Sequence, residues 1–338
     1  IALDPQNVSA YADRAGAHLK LGELQKAADD YGQALSLDPQ NRQLYVDRAG
    51  TYVKLSNHLK AIEDYSQAIK LDPTLMAAYS SRGDAYGEVR QFRQAIQDYD
   101  EAIRLDSNNP AHYGSRAIAY LNVGDAWKAV RDFDQAIRLD RNDVRNFRGR
   151  GNAYLAAGEF RRSIQDLGLA LRLDPEHADT YFNRGVAYAQ MGRFEDTYRH
   201  MQQAIKLDPE NAEIYIRGAS AYTGMGAQQS ATKALGEAIK QDPLNANLYQ
   251  ERANIYMLQR AFPQAIDDLT EAMHIAPENS GLHADRGLAY ALNEEWGKAI
   301  ADFDNSVYLE PGNHRVLINR GNAYARLGDY RRAIENYD

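Results

Sequence analysis

The sequence predicts an all-α protein, a solenoid built from stacked pairs of helices. Three observations support this fold class. An acidic residue, usually followed by proline, recurs at one fixed interval; a glycine recurs inside most of these intervals; and apolar residues between the two breaks are spaced by three and four. Proline and glycine end helices, and the three-four spacing marks one face of a helix. Each interval is therefore predicted to hold two amphipathic helices.

One position sets the repeat, because it closes every unit. Its occupants, evenly spaced along the whole chain, are Asp4, Asp38, Asp72, Asp106, Asp140, Asp174, Asp208, Asp242, Ala276 and Glu310. Proline follows in all units except two, where Ser107 and Arg141 take its place. A fixed period over a whole chain is the signature of a repeat protein.

The first helix of each unit, here called helix A, is predicted to begin after an asparagine. Such residues are Asn7, Asn41, Asn109, Asn211, Asn245, Asn279 and Asn313. An asparagine side chain at this place accepts a hydrogen bond from an amide of the first helical turn. Tyr45, Ala49 and Tyr52 then follow at helical spacing, so we expect them on one buried face.

The second helix, helix B, is predicted to follow a glycine in left-handed conformation. These glycines are Gly22, Gly124, Gly158, Gly192, Gly226 and Gly328. Small residues of helix A predict a close approach to helix B, and they are Gly83, Gly151, Gly185, Gly287 and Gly321. Trp127 and Trp296 lie near the start of helix B, where sister units have phenylalanine, and we predict core positions for both.

The chain with these features resembles the tetratricopeptide repeat (TPR) family. The residues that carry the resemblance in one unit are Tyr79, Gly83, Tyr86, Ala95, Tyr99 and Ala102. The resemblance implies a right-handed superhelix, an α-solenoid of 34-residue helix-turn-helix units whose helix A surfaces line a concave groove. We expect one array over residues 1–338: a tail of a preceding repeat at 1–7, nine full repeats at 8–313, and a truncated tenth at 314–338.

A charged pair recurs with the repeat and is predicted to be structural. The basic members, in helix A, are Arg14, Arg48, Arg82, Arg116, Arg150, Arg184, Arg252, Arg286 and Arg320. The acidic members, in helix B, are Asp30, Asp64, Asp98, Asp132, Asp166, Asp268 and Asp302. The seventh unit lacks both charges, with Gly218 and Ala234, and the sixth has His200 opposite Arg184. Pairing within a unit and pairing between units are both compatible with this pattern.

Composition and spacing exclude several kinds of function. The 338 residues contain no cysteine, and a net charge of -8 argues against a general nucleic-acid surface. No run of eighteen apolar residues is present, so we expect no membrane insertion. The eight histidines are never three or four residues apart, and paired carboxylates such as Asp29 and Asp30 recur with the repeat. We therefore expect no metal, no cofactor and no catalytic site in this segment.

The TPR resemblance implies a non-catalytic scaffold that binds a peptide or protein tail in the groove. Two alternatives remain open at this point. The array could be the substrate-recognition arm of a larger enzyme, as in O-linked N-acetylglucosamine transferases, or it could self-associate end to end. The first would depend on a catalytic domain that these residues do not contain.

Helix A positions away from helix B predict the lining of the groove. They are acidic, then basic, then acidic along the chain: Asp13, Asp47 and Asp84; Arg145, Arg148, Asn152, Asn183 and Arg217; Glu251 and Asp285. Phe182, beside Asn183, belongs to the same middle stretch. A basic stretch in an acidic protein favours a partner with an acidic tail.

A more specific site follows from the TPR resemblance. Co-chaperone TPR domains hold a partner's terminal carboxylates in a clamp of Lys, Asn and Arg side chains. The matching positions here are Arg148, Asn152, Asn183, Glu213 and Arg217. Arg148 replaces a lysine, and Glu213 reverses the charge of the second lysine. The sequence "RGNAY" recurs around Asn322, but Ile318 replaces the arginine there, so we expect no clamp at that copy.

Overall fold

A computed structural model describes residue 1, residues 4–209 and residues 211–338, without the side chains of residues 212 and 213. These residues form twenty α-helices and no strand, as the sequence predicts. They divide into two compact units, residues 1–175 and residues 176–338. The first unit contains α1 (Val8–Lys20), α2 (Leu24–Leu37), α3 (Arg42–Lys54), α4 (His58–Leu71), α5 (Met76–Glu88), α6 (Phe92–Leu105), α7 (Pro110–Asn122), α8 (Ala126–Leu139), α9 (Val144–Ala156) and α10 (Phe160–Leu173).

The second unit repeats the same order of elements. It contains α11 (Ala178–Gln190), α12 (Phe194–Leu207), α13 (Ala212–Gly224), α14 (Gln228–Gln241), α15 (Ala246–Leu258), α16 (Phe262–Ile275), α17 (Ser280–Leu292), α18 (Trp296–Leu309), α19 (His314–Arg326) and α20 (Tyr330–Tyr337). Odd-numbered helices are helix A of a repeat and even-numbered ones are helix B. Each helix A packs antiparallel on its own helix B, so the building block is a helical hairpin in both units.

The starts of the helices confirm most of the predicted asparagine caps. Asn7, Asn41, Asn109 and Asn279 each accept a backbone hydrogen bond from the first turn of the helix that follows. Asn245 precedes its helix but makes no capping hydrogen bond, and its side-chain amide donates to Asp242. The side chains capping α9 and α11 are Asp143 and His177; the asparagine pattern did not include them. Asn313 makes no capping bond, and nothing in the structure explains why. The Asn211 side chain donates to Asp208.

The predicted glycine breaks between helix A and helix B all have positive φ, from 69° at Gly192 to 84° at Gly124. Glycine adopts this conformation without steric cost. The remaining repeats reach the same conformation with other residues, at Ser56, Arg90, Arg260 and Glu294. A left-handed residue with a Cβ is destabilised by about 1 kcal/mol or more, so the turn geometry is imposed by the packing of the hairpin.

Helix A and helix B meet in a constant register, in which glycines of helix A face large side chains of helix B. A Cβ added at Gly83 would lie 2.8 Å from the Tyr99 ring, and one at Gly287 would lie 2.7 Å from the Phe303 ring. Gly151, Gly185 and Gly321 are likewise closed in by side chains of the facing helix B. The predicted close approach is confirmed, since glycine makes room for a large side chain from helix B.

The core consists of the facing surfaces of these hairpins. One cluster in the second unit brings together Phe182, Met201, Tyr222 and Leu235, all 2% exposed or less. The predicted core position of Trp127 is wrong: its side chain is 47% exposed and packs edge-on against Tyr154 at 6.5 Å. It lies in the first turn of helix B, which faces solvent. Trp296 is partly buried against the core, as predicted.

Candidate functional site: the helix A face and the arginine ladder

The recurring arginines and aspartates form a ladder of forked ion pairs. Arg Nε and Nη2 each donate to one carboxylate oxygen of the facing Asp of helix B, at 2.6–2.9 Å, in seven repeats. The aspartates are 4–7% exposed. Bidentate geometry is the strongest form of an Arg-carboxylate contact. Because each pair lies within one repeat, the ladder holds helix A to helix B of the same hairpin.

Four of these arginines, and Arg320, also contact the preceding repeat. The Nη1 atom of Arg116 donates to Asp100, and that of Arg150 donates to Asp134. Three further arginines donate in the same way to a side chain of the helix B that precedes them. The pairs are Arg82 with Ser66, Arg286 with Thr270, and Arg320 with Asp304. Burial acts against the charge of Arg116, but the hydrogen bonds to Asp132 and Asp100 outweigh it and raise the pKa of the guanidinium. The ladder therefore connects repeats as well as helices.

Two aromatic rings of helix A flank the ladder arginine in the second, third and fourth repeats. The guanidinium of Arg48 lies 5.9 Å from the ring centroids of both Tyr45 and Tyr52. Arg82 lies 5.7 Å and 5.8 Å from Tyr79 and Tyr86. One ring comes a turn before the arginine and the other a turn after it. A cation over a ring within about 6 Å is an attractive contact.

Three repeats of the second unit depart from the ladder, and one of them, the seventh, lacks both charges. In the sixth, the Nε of Arg184 is buried without a hydrogen-bond partner among the described residues. His200 stands at the aspartate position, and its Nδ1 bonds the carbonyl of Asp196 at 2.7 Å. Burial lowers the pKa of His200, and the charge of Arg184 adds to that effect. Arg320 differs in another way, since its Nε donates to Asn336 instead of a carboxylate.

In the first unit, the predicted acidic groove residues lie on α1, α3 and α5, and the predicted basic ones lie on α9. Arg145 is exposed and forks onto Asp143 at its own helix start, while Arg148 lies 3.5 Å from Asp174. The Arg148 side chain is only 21% exposed, so it is less accessible than its neighbour. Asn152 lies one turn further along the same helix, with a polar interaction of its own.

In the second unit, the predicted residues come together on one surface. The Arg217 guanidinium lies 4.2 Å above the Phe182 ring, and its Nη2 donates to Asn183 Oδ1 at 3.2 Å. Phe182 is 1% exposed and forms the floor of an open cleft of about 480 Å³ between α11 and α13. Arg217 itself is exposed. The surface thus presents a cation supported by an aromatic ring and an amide.

Several lining residues of this cleft were absent from the sequence-based prediction. They are Val186, Ala189, Gln190, Ser220, Ala221, Gly224 and Met225. The sequence could have identified them, because they follow Phe182 and Arg217 at the three-four spacing of one helix face. The small side chains of Ser220, Ala221 and Gly224 open the cleft. Its walls are mostly apolar, so an extended segment could bury apolar side chains beside the cation.

The five clamp positions are divided between the two units. Arg148 and Asn152 belong to the first unit, and Asn183 and Arg217 belong to the second. The Glu213 side chain lies outside the described residues. At the second copy of "RGNAY", the Asn322 side chain accepts a hydrogen bond from the Tyr337 hydroxyl at 2.8 Å. The clamp remains a prediction.

The described residues were also compared with the requirements of a metal site and of a membrane-spanning helix. No group of three or more His, Asp or Glu side chains among them is arranged to hold a metal ion. None of the helices described combines the length and apolar character that a bilayer crossing requires. The raised pKa of Arg116 belongs to an ion pair of the fold, where such shifts are also common.

Models of known protein families match most of the chain. Tetratricopeptide repeat models match residues 8–41, 80–144, 178–211 and 314–338, and a TPR repeat model matches residues 51–89 and 151–192. A search of curated proteins returned no match.

Solved structures share the fold at low sequence identity. A tetratricopeptide repeat protein from Parabacteroides merdae is 18% identical, with 73% of this chain and 98% of that chain covered and a TM-score of 0.59. The C-terminal part of a TPR repeat-containing protein from Cytophaga hutchinsonii is 20% identical, with 70% and 97% covered and a TM-score of 0.55. YrrB, described as a TPR protein with an unusual peptide-binding site, is 20% identical, with 58% and 99% covered and a TM-score of 0.50. The repeated hairpins and the family matches agree, and the chain belongs to the tetratricopeptide repeat family.

Proposed function

We propose that the helix A face of this protein binds an extended, acidic segment of a partner protein. Tetratricopeptide repeats form protein-interaction scaffolds, and the fold is typically non-catalytic. The observation that carries the finer proposal is the Arg217 guanidinium, exposed above Phe182 at the edge of the cleft. It is a cation held in place on a surface made by two successive helix A elements.

The contacts of Arg217 suit it to a carboxylate. The Phe182 ring fixes one face of the guanidinium, and the Asn183 amide oxygen accepts from its Nη2. Held in this orientation, the exposed edge of the guanidinium can fork onto a carboxylate of the partner, which is the geometry that arginine favours. Apolar walls at Val186 and Met225 then receive the neighbouring side chains of the segment.

We further propose that Arg145, Arg148 and Asn152 contact the partner from the first unit. Arg145 is 78% exposed, and its salt bridge to Asp143 is local, so exchanging it for a partner carboxylate costs little. YrrB is described as having a peptide-binding site, which supports a peptide ligand for the shared fold. The acidic character of the ligand rests on the cations of this chain.

The test is the affinity of a short peptide that ends in two aspartates and a free carboxylate. Arg217→Ala should weaken binding by about 1.5–3 kcal/mol, the worth of a hydrogen bond between charged groups, and Arg217→Lys should recover only part of it. The measurement is fluorescence anisotropy of the labelled peptide. The matched control is Arg199→Ala, which removes an exposed arginine of α12 paired with Glu195. Equal weakening by both variants, or by neither, would reject the cleft as the site.

A further inference from the structure

A second cavity in the second unit lies where the seventh repeat lacks its ladder arginine. It encloses about 220 Å³, and its walls include Tyr198, Gln202, Tyr215, Tyr222, Ala234 and Glu237. Residue 218, a glycine, is at the position of the ladder arginine in the other repeats. Four of the wall residues are at positions that surround that arginine elsewhere. Tyr215 and Tyr222 are the flanking rings, Ala234 is the aspartate position, and Gln202 is the position in the preceding repeat.

The other repeats show what such a space accommodates. In the second and third repeats, a guanidinium lies 5.7–5.9 Å from the centroids of the two equivalent rings. The seventh repeat keeps both rings but supplies no side chain between them. A third ring, Tyr198, stands 6.1 Å from Tyr222. The cavity is therefore an aromatic enclosure of the kind that attracts cations.

Polar groups of the cavity fit a cationic guest. The Tyr222 side chain is 2% exposed, and its hydroxyl makes no hydrogen bond to any residue in the described part of the chain. Burial raises the pKa of that phenol, and the nearby Gln202 amide offsets part of the rise. Burial raises the pKa of Tyr215, and the negative charge of Glu237 adds to the rise. Two cations oppose such a guest: Lys233 at the exposed rim, and Lys240, whose Nζ donates to Glu237 at 2.8 Å in an exposed salt bridge of the kind that exchanges at little cost.

We propose that this cavity binds the arginine side chain of a partner protein, inserted where the ladder arginine is missing. A planar guanidinium stacks on rings and can donate to the Tyr222 hydroxyl, the Gln202 amide oxygen and the Glu237 carboxylate. An ammonium is compact and more strongly hydrated, so it gains less from the rings. This site is separate from the cleft of the proposed function and does not depend on it.

The experiment uses N-acetyl-arginine amide as the probe, added to the full chain labelled for two-dimensional NMR. We expect saturable chemical-shift changes at Tyr215 and Tyr222. The dissociation constant should be in the millimolar range, because the ligand has few heavy atoms. N-acetyl-citrulline amide has nearly the same shape without the charge and should bind at least tenfold more weakly. Equal binding of the two, or no saturable shift with either, would overturn the proposal. Tighter binding of N-acetyl-trimethyllysine amide would overturn the choice of a guanidinium.

Gly218→Arg provides a variant that fills the cavity from within. A Cβ at Gly218 meets no atom within 4 Å, so the helix can accept the side chain. The variant should lose the response to the probe, while Gly218→Ala should keep it. Tyr222→Phe keeps the ring and removes the hydroxyl, and it should weaken binding of the probe several-fold. This variant tests the proposal if Gly218→Arg does not fold. A full response in Gly218→Arg would place the probe elsewhere and refute the proposal.

Discussion

Some ladder arginines bind an aspartate of their own hairpin and also a side chain of the preceding hairpin. Arg150, for example, holds Asp166 of its own hairpin and Asp134 of the preceding one. Removing one partner of such a buried pair leaves a charge uncompensated and costs about 3–5 kcal/mol. The sixth repeat is informative because it carries this defect naturally, with Arg184 facing a neutral histidine.

His200→Asp should repair that defect. The new carboxylate would give the buried Arg184 Nε a partner, and we expect the sixth repeat to gain about 1–3 kcal/mol at pH 7. The reciprocal control is Asp64→His, which builds the same mismatch beside Arg48 and should destabilise the second repeat. The measurement is the thermal unfolding midpoint of both variants against the parent. No gain in His200→Asp would mean that Arg184 is already satisfied by water.

The same residue predicts a dependence on pH. The pKa of His200 is lowered in the folded protein, mainly by burial, so the folded state binds fewer protons than the unfolded state. Stability is then fully present above the unfolded pKa of about 6.5 and falls as pH drops below it. His200→Asp should reduce the loss of stability as the pH falls through this range. The measurement is the thermal unfolding midpoint of the variant and the parent as a function of pH. It should not abolish it, because burial also lowers the pKa of His112.

At the scale of the helical hairpin, we expect the seventh repeat to be the weakest element. It lacks both ladder charges, and the missing side chains leave the cavity beside Tyr222. Gly218 and Gly224 lie in α13, where an added Cβ would meet no atom within 4 Å. These glycines destabilise the helix without serving a close contact, each by up to about 1 kcal/mol.

Amide hydrogen exchange should therefore be fastest between about Gly218 and Gly236. Gly218→Ala should slow that exchange, because alanine favours the helix and nothing clashes with it. The matched variant Gly149→Ala should have the opposite effect in the first unit, since its Cβ would lie 2.3 Å from the Phe133 ring. Uniform protection across all internal repeats would contradict the prediction.

The hairpin is also the scale at which the sequence was most informative. Proline, glycine and the three-four spacing have the same local meaning in every repeat, so the helix breaks and the close glycine contacts were predictable. Two roles were not predictable: Asn245 makes no capping hydrogen bond, and Trp127 lies in a helical turn that faces solvent. The sequence predicted only part of the cleft. Phe182 and Arg217 were identified, but Ser220 and Gly224 were not, because they contribute to the cleft only by being small.

At the scale of the whole molecule, two faces have different roles in this account. Within each unit, the ladder and its flanking rings hold a helix A to its own helix B and to the helix B of the preceding repeat. The opposite surface of helix A carries exposed side chains, Arg217 among them. The central claim is that this surface is where a partner binds.

Hydrogen exchange of the full chain with and without a saturating acidic-tailed peptide tests that claim most directly. We predict added protection in α11 and α13, centred on Phe182 and Arg217, with little change in α12 and α14. The same experiment on Arg217→Ala should show the protection lost at the same peptide concentration. Protection confined to the helix B elements, or protection of α11 and α13 that persists in Arg217→Ala, would contradict the account.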